Sequence, residues 1–154
     1  MRKTVLVSAC LLGQSCRHDG KSKPHADVQK LLTCCHVVPV CPEIMGGLAT
    51  PRPPAERCGK KVINRVGADV TEQYCRGGEE TLRLAKLFGC DTAILKERSP
   101  SCGSGEIYDG TFTKSLRAGD GVTAELLKKN GIRVMGESGI ADFLEECNTN
   151  GEEL

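Results

Sequence analysis

Three short runs of mainly aliphatic residues, each leading to a cysteine, most constrain the fold of this chain. The runs cover residues 4–9, 37–40 and 92–95, and the cysteines are Cys10, Cys41 and Cys102. Short β-branched runs separated by helical segments are typical of parallel strands in an open α/β sheet. Ligands bind such sheets at the carboxyl ends of the strands, where strand order reverses. We therefore expect the three thiols to meet in one crevice and to suit a metal centre.

Strand and helix patterns alternate along the chain. Strands are expected at 4–9, 37–41, 92–96 and 132–135, and helices near 24–34, 71–88, 121–129 and 139–147. Right-handed crossovers then give a single open, mostly parallel four-stranded sheet of order 2-1-3-4, with helices on both faces. This is a Rossmann-like or flavodoxin-like α/β fold. On the helix at 71–88, the residues expected to face the sheet are Cys75, Leu82, Ala85, Leu87 and Phe88.

Two connections, residues 42–69 and 97–120, are unusually long. Connections in compact α/β domains usually have about 2–6 residues, and longer ones are often lids or binding loops. Both begin at the carboxyl ends of strands, on the side of the sheet where the cysteines are expected. We interpret them as binding loops.

Length, charge and hydropathy restrict the class of protein. The 154 residues predict one domain spanning 1–154, with a frayed tail at about 148–154. The net charge of +1 and the lack of a long basic run argue against a nucleic-acid partner. No apolar stretch approaches the roughly 20 residues of a membrane span. The first apolar run is short and lacks a cleavage site, so we expect a cytoplasmic protein of undefined oligomeric state.

Ten cysteines require an explanation other than disulfide bonds in a cytoplasmic protein, because the reducing cytosol disfavours them. Several thiols are therefore better explained as metal ligands. Packing without a functional role is expected for Cys34, Cys35, Cys75, Cys90 and Cys147. Cys16 and Cys58 are left without an assigned role.

Three kinds of site fit the cysteine pattern to different degrees. Cys10 and Arg17 resemble the phosphate loop of low-molecular-weight phosphatases, but their spacing is Cys-x6-Arg instead of Cys-x5-Arg. Structural zinc usually needs four ligands with a close cysteine pair, and the sequence has no Cys-x2-Cys. An iron–sulfur cluster fits better. Three cysteines can hold three irons of a cubane and leave the fourth free to bind a substrate as a Lewis acid.

Seven motifs in one order are similar to those of a known family. They are SACLLG (8–13), CRHDG (16–20), PVCPE (39–43), GGL (46–48), TPR (50–52), KERSPSCG (96–103) and IYDGTF (107–112). On these motifs the chain resembles the small bacterial thiouracil desulfidases over residues 4–137. The resemblance implies a 4Fe–4S cluster on Cys10, Cys41 and Cys102, with one iron not bound by protein. It also implies conversion of 2-thiouracil to uracil and hydrogen sulfide without net redox change.

This chemistry suggests roles for residues beside the cysteines. Glu43 is the expected proton-transfer group, and Ser101 is expected to hydrogen-bond the substrate, the water or the cluster. The expected substrate-binding residues are Arg17, Arg52, Gly46, Gly47, Gly103, Tyr108 and Asp109. Two alternatives stay open: a desulfidase of thiolated nucleosides or tRNA, and a non-catalytic iron–sulfur or zinc-binding module.

Overall fold

Strands and helices alternate along the backbone from residue 4 to residue 152. A computed structural model describes residues 2–152, and the side chains of residues 2–149. In chain order the elements are β1 (Thr4–Ser8), α1 (Ala26–Gln29), β2 (His36–Val40), α2 (Pro42–Met45), β3 (Ala55–Cys58), β4 (Lys61–Asn64), α3 (Thr71–Phe88), β5 (Thr92–Leu95), β6 (Glu106–Tyr108), β7 (Leu116–Ala118), α4 (Val122–Lys129), β8 (Arg133–Gly136) and α5 (Ile140–Glu152). Short 3-10 turns cover Ala9–Leu12, Lys30–Thr33 and Glu137–Gly139.

Four parallel strands form the central sheet in the order β2-β1-β5-β8. These are the four strands predicted from the sequence, so the predicted order 2-1-3-4 is confirmed. The edge position of β2 accommodates Pro39, since proline cannot donate a hydrogen bond to a second neighbouring strand. Chain order reverses between β1 and β5, and this places the switch point of the sheet there.

Two apolar layers cover the two faces of the sheet, as predicted. On one face Val5 and Val7 of β1 pack with residues of α1 and α5. On the other face Leu6 of β1 and Leu95 of β5 pack with residues of α3 and α4. All four side chains are fully buried. The two central strands therefore carry continuous apolar sequences, because both of their faces are covered.

The buried stripe of α3 differs in part from the prediction. Its buried residues are Tyr74, Gly77, Gly78, Thr81 and Ala85, which follow the helical repeat of about 3.6 residues. The prediction that Cys75, Leu87 and Phe88 face the sheet is wrong, because all three lie off this stripe and are exposed. A single strip of α3 contacts the neighbouring elements, and it consists mostly of small residues.

The first and last helices also differ from their predicted bounds. The predicted helix at 24–34 is divided into α1 and a 3-10 turn at Lys30–Thr33, where the Thr33 hydroxyl donates to the Lys30 carbonyl at 2.7 Å. α5 continues to Glu152, so residues 148–152 of the predicted frayed tail have helical backbone. Residues 153 and 154 of that tail lie outside the described residues. Within the described chain, every helix is too short or too polar to cross a bilayer.

The two long connections contain regular structure that the sequence analysis did not predict. The first holds α2 and the antiparallel hairpin β3–β4, and the second holds the antiparallel hairpin β6–β7. The hairpins are joined through Glu56, whose carboxylate accepts hydrogen bonds from the Gly110 and Phe112 amides at 3.0 and 3.2 Å. The two long connections are therefore ordered segments that contact each other through their hairpins.

Two glycines allow α2 and α3 to pack closer than side chains would permit. A Cβ atom at Gly46 would lie 1.9 Å from the Gln73 carbonyl oxygen. A Cβ atom at Gly77 would lie 1.9 Å from the carbonyl oxygen of Pro42. Because α2 directly follows Cys41, this contact fixes the position of the chain at the end of β2.

We expect Gly77→Ala to destabilise the protein, because the added methyl group overlaps the α2 backbone. Overpacking a core typically costs about 1–3 kcal/mol. Gly78→Ala is the matched control, since its Cβ would lie 3.4 Å from the nearest atom, Thr123 Oγ1, and alanine favours a helix over glycine. Urea unfolding of both variants measures the difference. Equal free energies of unfolding would contradict the close contact.

Candidate metal centre and cleft

Three cysteines from three parts of the chain line one cleft at the carboxyl edge of the sheet. Cys10 lies in the 3-10 turn after β1, Cys41 is the residue before α2, and Cys102 lies in the turn after β5. The cleft has a volume of about 530 Å³ and is lined by all three residues. This size lies within the range of small-molecule sites. The structure thus brings together the residues that the sequence analysis selected as metal ligands.

The spacing of these thiols suits a multi-iron cluster better than a single ion. Donor atoms around one zinc ion lie close together, because each Zn–S bond is only about 2.3 Å long. Among the described His, Cys, Asp and Glu side chains, the one group of three donors within 4.8 Å of one another excludes Cys10, Cys41 and Cys102. A cubane places each cysteine on a different iron, so it needs wider spacing. The donor set therefore fits a 4Fe–4S cluster.

The turn that carries Cys102 is fixed by hydrogen bonds on both sides. Ser99 Oγ accepts from the Ser101 and Cys102 amides, both at 3.1 Å. The Thr123 amide at the start of α4 donates to the Ser101 carbonyl oxygen at 2.8 Å. Burial raises the pKa of the Cys102 thiol to about 12, and the Glu43 carboxylate adds to this effect. A metal must therefore displace a firmly held proton, as is usual for cysteine ligands.

A fourth thiol, Cys16, lies between Cys10 and Cys41. It is buried, and the two neighbouring thiols affect each other: Cys16 lowers the pKa of Cys10, and Cys10 raises the pKa of Cys16. The Cys41 thiol donates to the Cys16 carbonyl oxygen at 3.7 Å. The sequence analysis left Cys16 unassigned, because it follows no strand. The sequence feature that could have identified Cys16 is the CRHDG motif, which begins at this residue.

Glu43 faces the cleft from the first turn of α2 and is held by two donors. The Tyr74 hydroxyl and the Arg52 Nε both donate to Glu43 Oε1, the latter at 3.5 Å. Burial raises the pKa of Tyr74, and the adjacent Glu43 carboxylate raises it further. Tyr74 is therefore a neutral donor that orients the carboxylate. Its role was missed because it lies on α3, remote from every motif.

Arg52 supports the loops around the cleft, and most of its guanidinium N–H groups are hydrogen-bonded within the protein. Its side chain is 5% exposed, and its Nη2 donates to the Cys16 carbonyl at 2.9 Å. Its Nη1 donates to the Ala49 carbonyl and the Thr50 hydroxyl at 3.2 and 3.1 Å. Arg52 lines the cleft, but its hydrogen bonds indicate a positioning role for the loops around Cys16 and Glu43.

Ser101 lies behind the cleft instead of in its lining. Its hydroxyl is buried and hydrogen-bonds to Thr123 Oγ1 at 2.8 Å. It also lowers the pKa of Cys102, as does the Ser8 hydroxyl, although burial of the thiol outweighs both effects. Ser8 lines the cleft and accepts a hydrogen bond from the Lys96 amide at 2.9 Å. Of the three partners predicted for Ser101, namely the substrate, the water and the cluster, the geometry favours the cluster side, where its hydroxyl can position Cys102.

Three predicted substrate-binding glycines lie outside the cleft lining. Gly46 serves the α2–α3 contact, and Gly47 has a φ of 100°, which suits glycine at the end of a turn. A Cβ at Gly103 would lie 2.7 Å from Ile107 Cγ2 and 2.8 Å from the Ser99 carbonyl. Packing and turn geometry account for these glycines in the structure, and their contact with substrate stays a prediction.

The remaining predicted residues divide between the cleft and the loop beside it. Arg17 and Tyr108 line the cleft, but Asp109 does not. The Asp109 carboxylate accepts hydrogen bonds from the Thr111 hydroxyl and amide at 2.6 and 3.0 Å, which lower the pKa of Asp109. Asp109 therefore organises the loop between β6 and β7. Phe112 of that loop lines the cleft and was not selected from the sequence.

Three comparisons agree on the relatives of this chain. A family model described as 2-thiouracil desulfurase matches residues 5–139. An uncharacterized protein of Bacillus subtilis (strain 168), YbbK, is 44% identical over 150 residues, covering 91% of this chain and 99% of YbbK.

A solved structure described as the 4Fe-4S-dependent thiouracil desulfidase TudS is also similar. It is 43% identical with a TM-score of 0.90, covering 96% of this chain and 99% of TudS. The resemblance inferred from the seven motifs is thereby confirmed. The chain belongs to the 2-thiouracil desulfurase family.

Proposed function

We propose that this protein is a 4Fe–4S-dependent desulfidase that converts 2-thiouracil and water to uracil and hydrogen sulfide. The observation that carries the proposal is the meeting of Cys10, Cys41 and Cys102 in one cleft. Family membership and the similarity to TudS support the same chemistry. The reaction replaces a C–S bond with a C–O bond and requires no oxidant or reductant. Because all ten thiols are free, we also infer a reducing compartment, the cytoplasm.

Cys10, Cys41 and Cys102 would hold three irons and leave one without a protein ligand. When bound, such a cluster supplies a Lewis-acidic iron at which a thiocarbonyl sulfur can bind. Cys16 lines the same cleft, and its carbonyl oxygen accepts a hydrogen bond from the Cys41 thiol at 3.7 Å, so we infer that it supports the ligands and holds no iron of its own. The neighbouring Cys16 thiol is the main cause that lowers the pKa of Cys10, and Lys96, which also lines the cleft, lowers it further. Its charge would offset that of the thiolates.

Glu43 is the group in the cleft best placed to move a proton. The attacking water must lose its protons as its oxygen bonds to the ring carbon, and the departing sulfur must gain them. A carboxylate held by Tyr74 and Arg52 has a fixed position beside the thiols. We infer that Glu43 accepts a proton from the water and returns it to the sulfur.

The aromatic side chains Tyr108 and Phe112 form the part of the lining best suited to a pyrimidine. Both belong to the β6–β7 hairpin and its loop. The loop is fixed to β3 by the Glu56 carboxylate. A flat, uncharged ring gains most from stacking on aromatic faces. We infer that these two residues hold the ring while the thiocarbonyl points towards the cysteines.

We expect Cys10→Ala, Cys41→Ala and Cys102→Ala each to lose iron and activity, because a cubane with a missing ligand exposes a second iron. The loss of turnover should exceed the roughly 10–100-fold that removal of an outer-shell partner costs. Iron and sulfide content after anaerobic reconstitution, together with turnover, measures this.

Cys16→Ser and Cys90→Ala are the controls for the ligand set. Cys16→Ser keeps a hydrogen-bonding group of similar shape, so the cluster should be retained. Cys90 is buried outside the cleft, and its variant should lose only packing. Full iron content in any of the three ligand variants would remove that cysteine from the set, and loss of iron in Cys16→Ser would add a fourth ligand.

We expect Glu43→Gln to keep the cluster and to lower turnover per cluster, because glutamine preserves the shape but cannot accept a proton. General acid–base assistance is typically worth about 10²–10⁴-fold in rate. Tyr74→Phe is the matched control: it removes one donor to Glu43 and leaves the carboxylate, so its effect should be smaller. An unchanged turnover per cluster in Glu43→Gln would exclude this carboxylate from the reaction.

We expect Phe112→Ala to raise KM for 2-thiouracil with little change in iron content. Loss of base stacking costs about 1–3 kcal/mol, so KM should rise about fivefold or more. Phe112→Leu keeps bulk without an aromatic face and should show most of the same increase. Leu116→Ala, on the same hairpin but outside the cleft lining, is the control. A KM unchanged in both Phe112 variants would exclude stacking on this residue.

A further inference from the structure

A second group of thiols is more compact than the group in the cleft. Cys34 and Cys35 lie between the 3-10 turn Lys30–Thr33 and β2, and Cys147 lies on α5. The Sγ atoms of Cys35 and Cys147 are 3.5 Å apart, and those of Cys34 and Cys35 are 3.9 Å apart. All three Sγ atoms lie within 4.8 Å of one another. Sequence analysis assigned these residues to packing alone.

This group is separate from the proposed cluster site. Cys34 and Cys35 immediately precede β2, whereas Cys41 directly follows it. Because the strands are parallel, the two groups lie at opposite ends of them: Cys34 and Cys35 at the amino ends, and Cys41 at the carboxyl ends. None of the three residues lines the cleft.

The local backbone explains why two adjacent cysteines can serve one centre. The amides of Cys34 and Cys35 both donate to the Leu31 carbonyl oxygen, at 3.1 and 2.7 Å. This tight turn precedes the extended strand, in which neighbouring side chains would point to opposite faces. Cys147 approaches from α5, whose Ile140 and Phe143 pack in the same apolar layer as Cys35. The three thiols are therefore placed by two separately packed segments, the turn that carries Cys34 and Cys35 and the helix α5.

The sulfur separations match the coordination shell of a single thiophilic ion. Tetrahedral bonds of about 2.3 Å place neighbouring sulfur ligands about 3.8 Å apart. The measured separations of 3.5 and 3.9 Å bracket this value. Thiolates select soft ions such as Cu(I) and Zn²⁺. Cys35 is buried while Cys34 and Cys147 are half-buried, so an ion can enter from solvent and be partly shielded once bound.

We propose that Cys34, Cys35 and Cys147 bind one thiophilic d¹⁰ metal ion, Zn²⁺ or Cu(I), with a solvent molecule as the fourth ligand in the case of Zn²⁺. Binding releases the thiol protons to solvent and transfers no electrons. Three thiolates leave a net negative charge on either complex. Lys3 lies on this side of α5, with its Nζ 5.8 Å from the centre of the Phe143 ring, and can offset part of that charge. The ion would connect α5 to the segment that enters the edge strand β2.

The test measures metal retention by the cluster-reconstituted protein under anaerobic conditions. Zn²⁺ is added as its chloride in one arm and Cu(I) on a weak chelator in the other, and loose metal is removed before quantification. Wild type should retain about one ion per chain more than Cys147→Ser or Cys34→Ser, which each remove a half-buried thiol. Cys75→Ser, which removes an exposed thiol from α3, should retain as much as wild type.

A stability readout separates a built site from weak surface binding. An ion that binds only the folded state raises the unfolding temperature. The added metal should therefore raise it in wild type and Cys75→Ser but not in Cys147→Ser. Equal retention in all variants, retention of neither metal, or formation of a Cys35–Cys147 disulfide in place of binding would each overturn the proposal. Because each result is a difference between variants, it does not depend on whether the cleft holds iron.

Discussion

The parallel alignment of β1, β2 and β5 is the constraint on which the cleft depends. Parallel strands place their carboxyl ends at one edge, so residues remote in sequence meet there. Cys10 and Cys41 follow neighbouring strands whose register pairs Ser8 with Val40. Cys102 reaches the same edge on a turn fixed to α4. An antiparallel strand would carry its cysteine to the opposite edge, where no cluster could include it.

Buried strands were predictable because burial on both faces leaves a simple sequence signal. Mainly aliphatic runs such as those at 4–9 and 92–95 are typical of strands that are covered by helices on both faces of a sheet, so the runs predicted both strands and layers. The short strands β3, β4, β6 and β7 have no such run. They are formed by pairing within each hairpin and by contacts between the hairpins, including the hydrogen bonds to Glu56. Such contacts cannot be inferred from local patterns.

Residues of the site could be predicted from the sequence where they lie within the motifs around the cysteines. Glu43 was selected because it follows Cys41, and it does face the thiols. Its partner Tyr74 was missed, because the contact depends on the close packing of α2 on α3. For Ser101 the sequence leaves three partners open, namely the substrate, the water and the cluster. Its hydroxyl lies 2.8 Å from Thr123 Oγ1, a contact with α4 that adjacency to Cys102 could not predict.

The spacing between thiols gives a physical reason why two cysteine-rich sites in one chain would bind different metal species. The cleft cysteines are too dispersed to be counted among donors that all lie within 4.8 Å, whereas Cys34, Cys35 and Cys147 satisfy that limit. A cubane needs its cysteine sulfur atoms farther apart than this, because each cysteine binds a different iron. The fold fixes both spacings. In the cleft, the thiols follow the carboxyl ends of strands; in the second group, a turn at the amino end of β2 faces α5. If both proposed sites bind metal, distance between the thiols, more than ligand type, would select between cluster and ion, because the ligand is cysteine in both.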